Sequence, residues 1–572
     1  MKSKNYKKWD VHHHIVPDFY AEEMKKMGMK DFNTIKWPNW NPEFSLKMMG
    51  TFNIEKAFVS ISAPGVYFKD VEYSKSLSRR CNEYIGRMVR DYPERFGGFA
   101  SVPLPDVKSA LEELVYAMDT LKLDGVGLLS NVDGRYLGDV AYRDFFAELD
   151  RRNAVVYIHP NGILKRENHQ FLNPLYLWQN DTTRTIIDFV KSGYHRDYPN
   201  IKWILSHGGG ILAPLYNTLV ATLKDENPTI ESELKVWKSQ LFIDTASKAF
   251  DEQIPFLLGF SDEKHVLFGS DIGWANKMAV STVVKSYSGL DEKFGLTPDR
   301  IEDIFMGNAK RLFTQDKIPV SQEAPINIKE TKASKEALDS DSIAYHCHCI
   351  PERVLEKIRS DYQELEIEGI EPFNEERTLS WMRENEYKKV LLSFDLPPLW
   401  KMNRKDIAAI LRLYNEEAAK IRDRNLQSFE AFGAVDIDQP LFTTEEINHC
   451  INDLKMDGIA LYTRMNETKF DEFMDERILE KLSGIDVPVM IHPQDSSGDP
   501  LINDNYLDAV YFMAKAFYLG SYSKYLSNVK FMLMHTGGIL PYVSQPLNIL
   551  FYMTIKKPRV WLYLMDNMIR KN

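Results

Sequence analysis

The chain has 572 residues, with 82 acidic against 71 basic side chains and a formal charge of −11. Its 44% hydrophobic and 27% charged residues match the soluble globular average, which excludes a disordered chain, and no run approaches the ~18 apolar residues of a membrane span. An acidic balance with no Lys- and Arg-rich segment excludes a general nucleic-acid binder.

Taken in chain order, the opening MKSKNYKKWD carries no apolar stretch of the secretory kind. The four cysteines, Cys81, Cys347, Cys349 and Cys450, are too few and too scattered for a disulfide framework, so a cytoplasmic, reducing location is expected. Short apolar runs then alternate with amphipathic stretches: VHHHIV, KAFVSIS, FGGFASVP, GVGLLS, AVVYIHP, IKWILSH, LFIDTA and HVLFGSD. Eight strands separated by helical segments predict an α/β fold of the (β/α)8 barrel type, whose chemistry sits at the carboxyl ends of the strands. Those ends carry His12 and His14, His159, His207 and Asp271. His12 and His14 lie two apart on a strand, so both imidazoles face the barrel interior while His13 points outward. With His159 and Asp271 they offer nitrogen and oxygen ligands suited to zinc and tolerable for manganese. His207, followed by GlyGlyGly, is expected to stand beside the metal without having to bind it. Single histidines such as His169, His195 and His265 are expected to be structural.

The chain repeats itself. NIKWILSHGGGIL from Asn200 matches NVKFMLMHTGGIL from Asn528 at eight of thirteen positions. HHHIVPD at His12 pairs with HCHCIPE at His346, and AVVYIHP with VPVMIHP, at offsets of 334 for His12 and His346, 333 for His159 and His492, and 328 for His207 and His535. Residues 1–316 are therefore expected to form a complete barrel, 317–340 a polar linker, and 341–572 a second, C-terminally truncated barrel of seven strands. The second copy retains His346, His348, His492 and His535 as a possible degenerate metal site. It has Ala344 where the first has Asp10, and no counterpart of Asp271. Cys347 and Cys349 alternate with its histidines and fall on the opposite strand face, which marks them as structural thiols. A degenerate copy that completes or braces the first is expected, with the two barrels paired within the chain or the chain in a homo-oligomer.

The runs DVHHHIVPDFY, RFGGFASVPLPD, DGVGLLSNVDGRYLGD, FAELDRRNAVVYIHP, DTTRTI, NIKWILSHGGG, VLFGSDIGWA and GNAKRLF resemble the amidohydrolase-related proteins of the aminocarboxymuconate-semialdehyde decarboxylase type. The resemblance implies one divalent metal, usually zinc, held by His12, His14, His159 and Asp271, with His207 catalytic. It points to the non-oxidative decarboxylation of a small aromatic or unsaturated carboxylic acid, with Asp271 or His207 delivering a proton to the carbon that loses CO2. A hydrolase of a lactone or amide, with Asp271 taking a proton from water, fits the same residues, and a non-catalytic binding or scaffold protein with a relic site is the third reading. Asp10, two before His12, is expected to bond a ligand imidazole and fix its tautomer. Asp244 and Arg184 are weaker candidates of that sort, and Arg135, on the loop after strand four, is a candidate partner for a substrate carboxylate.

Overall fold

The structure is a computed structural model that describes residues 6–32, 35–161, 178–224, 226–247, 254–314, 343–362, 370–384, 387–394, 402–462, 475–492, 525, 529–533 and 560–561. It divides into two compact units, 1–329 and 330–572. The expected linker, 317–340, lies outside the described residues.

The first unit is built on eight parallel strands: β1 (Lys8–Ile15), β2 (Ile54–Ile61), β3 (Phe96–Ser101), β4 (Gly125–Leu129), β5 (Val155–His159), β6 (Lys202–Leu205), β7 (Leu241–Asp244) and β8 (Val266–Leu267). They neighbour one another in chain order. The backbone closes the ring where Val11 N–H donates to Phe268 O at 3.0 Å and His14 N–H to Ile272 O at 2.7 Å. Each strand reads as a nearly continuous apolar run because both of its faces are covered. Val11, Phe58, Phe99, Tyr157, Ile204, Phe242 and Leu267 fill the inside, and helices cover the outside.

The helices used below are α1 (Pro42–Phe52), α2 (Val71–Asp91), α3 (Val107–Val115), α4 (Trp178–Lys191) and α5 (Leu212–Leu223). In α2, Asp70 caps the N-terminus by accepting Tyr73 N–H at 2.9 Å, and Leu77, Cys81, Ile85 and Met88 recur at helical spacing on the buried face. Each such side chain contributes roughly 1.5–3 kcal/mol by leaving water, and truncating Ile85 to Ala would cost about 2–5 kcal/mol.

The second unit is a seven-stranded parallel sheet in chain order: β9 (Ile343–His348), β10 (Lys389–Ser393), β11 (Phe429–Ala434), β12 (Gly458–Tyr462), β13 (Val489–His492), β14 (Phe531–Leu533) and β15 (Val560–Trp561). Its buried polar contacts copy those of the first unit. Asn82 Nδ2–H donates to Glu113 Oε1 at 2.9 Å and to Ser101 O, and its oxygen accepts Ser101 N–H at 2.8 Å. At 333 residues further on, Asn415 does the same with Glu446 at 2.8 Å and with Ala434. Asp124 accepts Gly98 N–H and Asp457 accepts Ala431 N–H, and Lys122 and Lys455 share a left-handed backbone, with φ of 57° and 54°. The repeated sequence thus repeats its hydrogen bonds, and in each unit an asparagine ties a helix to the end of the third strand.

Candidate metal centre

His12 and His14 project from the same face of β1, His159 is the last residue of β5, His207 follows β6 by two residues and Asp271 follows β8 by four. All four imidazoles are buried. His12 Nε2 lies 2.9 Å from His14 Nε2, and Asp271 Oδ1 lies 3.4 and 3.3 Å from those two nitrogens. One ligand atom from each of His12, His14 and His159 falls within 4.8 Å of the others, and the same holds for His12, His207 and Asp271. Asp271 Oδ2 is 3.7 Å from His207 Nε2. Both His207 and Asp271 hold a left-handed backbone, φ 52° and 59°, a conformation that non-glycine residues adopt at a cost and that clusters at functional sites.

The far sides of the rings are fixed. His12 Nδ1–H donates to Asp244 Oδ2 at 2.7 Å, His159 Nδ1–H to Pro160 O at 2.9 Å, and His14 Nδ1 meets Ser60 Oγ at 3.2 Å. Bonding at Nδ1 leaves the Nε2 lone pairs turned toward one another, which is the arrangement a cation requires.

Electrostatics agree. Burial opposes charge on His12, but Asp244 and Asp271 outweigh it and raise its pKa to about 10. Burial, reinforced by the neighbouring imidazoles, pushes His14 down to about 4 despite Asp271, and His159 well below its ordinary value. Burial alone would raise Asp271, yet His12 above all, with His14 and His207 close by, holds it well below the usual carboxylate range. The centre therefore favours positive charge where His12 faces Asp271, a charge that a cation on the Nε2 atoms would supply in place of a proton on His12. These residues fit a divalent metal in donor type, in lone-pair direction and in charge.

Asp10 behaves otherwise than expected. Its carboxylate accepts the backbone N–H of His12 at 3.2 Å and of Ser270 at 2.9 Å, the Ser270 hydroxyl at 2.5 Å and His13 Nδ1–H at 3.0 Å. It joins β1 to the segment after β8 and bonds no ligand imidazole. Asp244, the weaker candidate, takes that position. His13 points out of the barrel to Ser45 of α1, at 2.8 Å. Arg135 is exposed on a short hairpin, with Asp139 at 3.5 Å. Arg184 lies over the Tyr136 ring at 4.6 Å. Neither arginine is brought to the histidine cluster by any described contact.

His195 pairs with Glu233 and His265 with Asp262, both as structural contacts, and His169 lies outside the described residues. Ser60 is the residue that sequence reasoning passed over. Its signal was a polar side chain inside the apolar run KAFVSIS, at a position that alternation turns inward.

In the second unit the His348 and His492 rings stand 5.4 Å apart and nearly perpendicular, as His14 and His159 do at 4.7 Å. The side chain of His346, and His535, lie outside the described residues.

A pocket opens beside His159 at the carboxyl ends of β2 to β5. Ile61, Val66, Val102, Leu104 and Leu129 give it apolar walls, and Ser60, Ser101 and Tyr157 supply hydroxyls. Among the described residues its lining carries no Lys, Arg, Asp or Glu.

The amidohydrolase family model matches residues 9–315 and again 399–565, more than half of the chain. The chain belongs to the amidohydrolase family. Among curated amidohydrolase relatives, the decarboxylase yanB of Aspergillus niger is 36% identical over 330 residues, covering 54% of this chain and 88% of that protein. The 6-methylsalicylic acid decarboxylase acuB of Aspergillus aculeatus is 33% identical over 319 residues, covering 54% of this chain and 96% of that one. Among solved structures, the crystal structure of an amidohydrolase II is 28% identical with a TM-score of 0.50, over 54% of this chain and 100% of that chain. Among the described residues no helix of this amidohydrolase is long and apolar enough to cross a membrane.

Proposed function

We propose that the first unit is a metal-dependent, non-oxidative decarboxylase of a small aromatic carboxylic acid. The observation that carries this is the convergence of His12, His14, His159, His207 and Asp271 beside an uncharged, largely apolar pocket. The decarboxylase relatives support it over the lactone or amide hydrolase and over the scaffold reading. His12, His14, His159 and Asp271 would hold the metal; a donor set of three nitrogens and one oxygen suits zinc, with manganese as the alternative. Bound there, a divalent metal supplies Lewis-acid stabilisation of negative charge on the substrate's oxygens.

The chain's own groups do the rest. The apolar walls take the aromatic ring and exclude water from it. Because the described lining of the pocket carries no Lys or Arg, the substrate carboxylate is directed to the histidine cluster. The bond from ring carbon to carboxylate carbon breaks, its electron pair stays on the ring, CO2 leaves, and a proton forms the new C–H bond. Asp271 is held as a carboxylate and does not carry that proton at rest. His207 is the group placed to hold it. Among the described residues its buried Nδ1 has no hydrogen-bond partner, and its Nε2 faces Asp271; with both ring nitrogens protonated beside that carboxylate, the ring can give the Nε2 proton to the ring carbon and return to a neutral imidazole.

The second unit is read as non-catalytic. At the position of Leu129 it carries Tyr462, which is fully buried and whose hydroxyl donates to Phe394 O at 2.8 Å, reaching from β12 to the end of β10. Phe394 itself stands at the position of Ile61. A phenol thus crosses the space that is pocket in the first unit. The four cysteines are unpaired, which suits the cytoplasm.

The test is CO2 release from a panel of hydroxylated and methylated benzoates by the metal-loaded protein. Release by wild type and by His492→Ala, with loss in Asp271→Ala, is expected. Water addition to a lactone or amide, without CO2, would reject the proposal.

A further inference from the structure

The motif DTTRT lies in the first turns of α4, where the buried side chains are polar: Gln179, Asp181, Thr182, Thr183 and Thr185. A helix facing a barrel normally buries an apolar stripe; α4 does so further on, with Ile186, Phe189 and Val190, whereas its first two turns are built for polar contacts. Asp181 accepts from three separate segments. Ser130 Oγ and Asn131 Nδ2, at 3.0 Å, come from the end of β4; Tyr136 O–H, at 2.9 Å, comes from the hairpin that follows; and Asn161 N–H, at 2.9 Å, lies two residues beyond His159. Asn161 Nδ2–H donates to Asn131 O at 3.0 Å and closes the ring of contacts.

The other side of the same stretch grips the segment after His207. Thr183 Oγ1 accepts Ile211 N–H at 2.9 Å while donating to Gln179 O. Gly210, at φ +67°, approaches so closely that a Cβ there would strike the Gln179 carbonyl and stand 2.7 Å from Thr183 Oγ1. Trp178 lies over the His207 ring, with centroids 6.3 Å apart and planes 26° from parallel.

We infer that the first two turns of α4 are the spacer that sets His159 against His207, with Asp181 and Thr183 as separate positioning residues for the metal ligand and for the proton-holding histidine. The inference rests on the metal-dependent reading above. Asp181 acts on metal binding, through the segment carrying His159, and on the pocket wall through the hairpin carrying Val132, which lines the pocket. Thr183 acts only on the segment carrying His207.

The test uses the full-length chain, stripped of metal and titrated with Co2+, read by the visible absorption of the bound ion and by folding controls from circular dichroism. Asp181→Asn places an amide donor among four donors. It is expected to weaken Co2+ binding by about 10–100-fold, to alter the visible spectrum and to raise KM. Thr183→Val is expected to leave Co2+ affinity within about 3-fold and the spectrum unchanged while lowering kcat by about 10-fold, with Thr183→Ser restoring it. If Asp181→Asn does not fold, Ser130→Ala and Tyr136→Phe, each removing one donor to the same carboxylate, are expected to weaken Co2+ binding by about 3–10-fold. Wild-type Co2+ affinity in the Asp181 series, or equal loss of Co2+ affinity in both series, would overturn the inference. A wild-type chain that takes up no Co2+ would overturn the metal reading itself, and this inference with it.

Discussion

Asp244 and His12 are joined across the closed barrel by a 2.7 Å hydrogen bond between two fully buried side chains. The second Asp244 oxygen accepts the backbone N–H of His207 at 2.9 Å and of Ala246 at 3.0 Å. Both oxygens therefore face donors, one from a candidate metal ligand and one from the backbone of the candidate proton holder. Asn at this position has a single acceptor oxygen and must turn an N–H against one of those donors, which costs roughly 1–3 kcal/mol. Asp244→Asn is expected to weaken metal binding by about 10–100-fold, measured by competition with a chromophoric chelator. Unchanged affinity would show that His12 is oriented by other contacts.

Leu129 walls the pocket in the first unit, and Tyr462 crosses the corresponding space in the second. Leu129→Tyr is therefore expected to fold and to retain metal but to raise KM for the aromatic acid at least about 10-fold, because a phenol occupies the ring's place. Tyr462→Leu is expected to leave the kinetics unchanged. Steady-state kinetics of the two variants separate the units.

Lys8 is almost completely buried, with Nζ donating to Tyr6 O at 2.6 Å and no carboxylate among its described partners. Burial lowers its pKa to about 8. Between pH 8 and about 10.4 the unfolded chain binds more protons than the folded one, so this residue's contribution makes stability rise with pH across that window. Below pH 8 the cost of burying the charge is fully present, at most about 3 kcal/mol. Lys8→Met is expected to raise the melting temperature of the first unit at pH 7 and to lose that advantage progressively as pH rises from 8 to 10. A constant difference across the range would reject this assignment.

Metal removal has an expected signature in stability as well as in activity. A ligand that binds only the folded state stabilises it by about 4 kcal/mol when present at 1,000 times its dissociation constant. Chelation is expected to abolish CO2 release and to lower the first unit's melting transition, with both restored by Zn2+ or Mn2+. Full activity after exhaustive chelation would contradict the metal-dependent reading.

The strands and the converging histidines were legible because both follow from periodicity. Eight apolar runs at regular spacing place their last residues on one rim, and the two-residue spacing of His12 and His14 sets them on one face. The exchange of roles between Asp10 and Asp244 was not legible, because alternation says which way a strand residue points but not which neighbour across the barrel it meets. Asp10 turns to His13 and Ser270 instead. The DTTR motif misled in a similar way. Its arginine is the residue that stands out as a charge, whereas the structure buries Asp181 and Thr183 and lays Arg184 against Tyr136. Tyr462 could be found only by aligning the two copies and asking what fills the space of Leu129.

Turnover in D2O of a hydroxylated benzoate labelled with 13C at its carboxyl group, followed by NMR, bears most directly on the decarboxylase assignment. The expected result is that the label appears as CO2 and bicarbonate, with one deuterium on the ring carbon that carried it, in the wild type but not in Asp271→Ala. A label retained in the aromatic product, or deuterium absent from that carbon, would contradict the assignment.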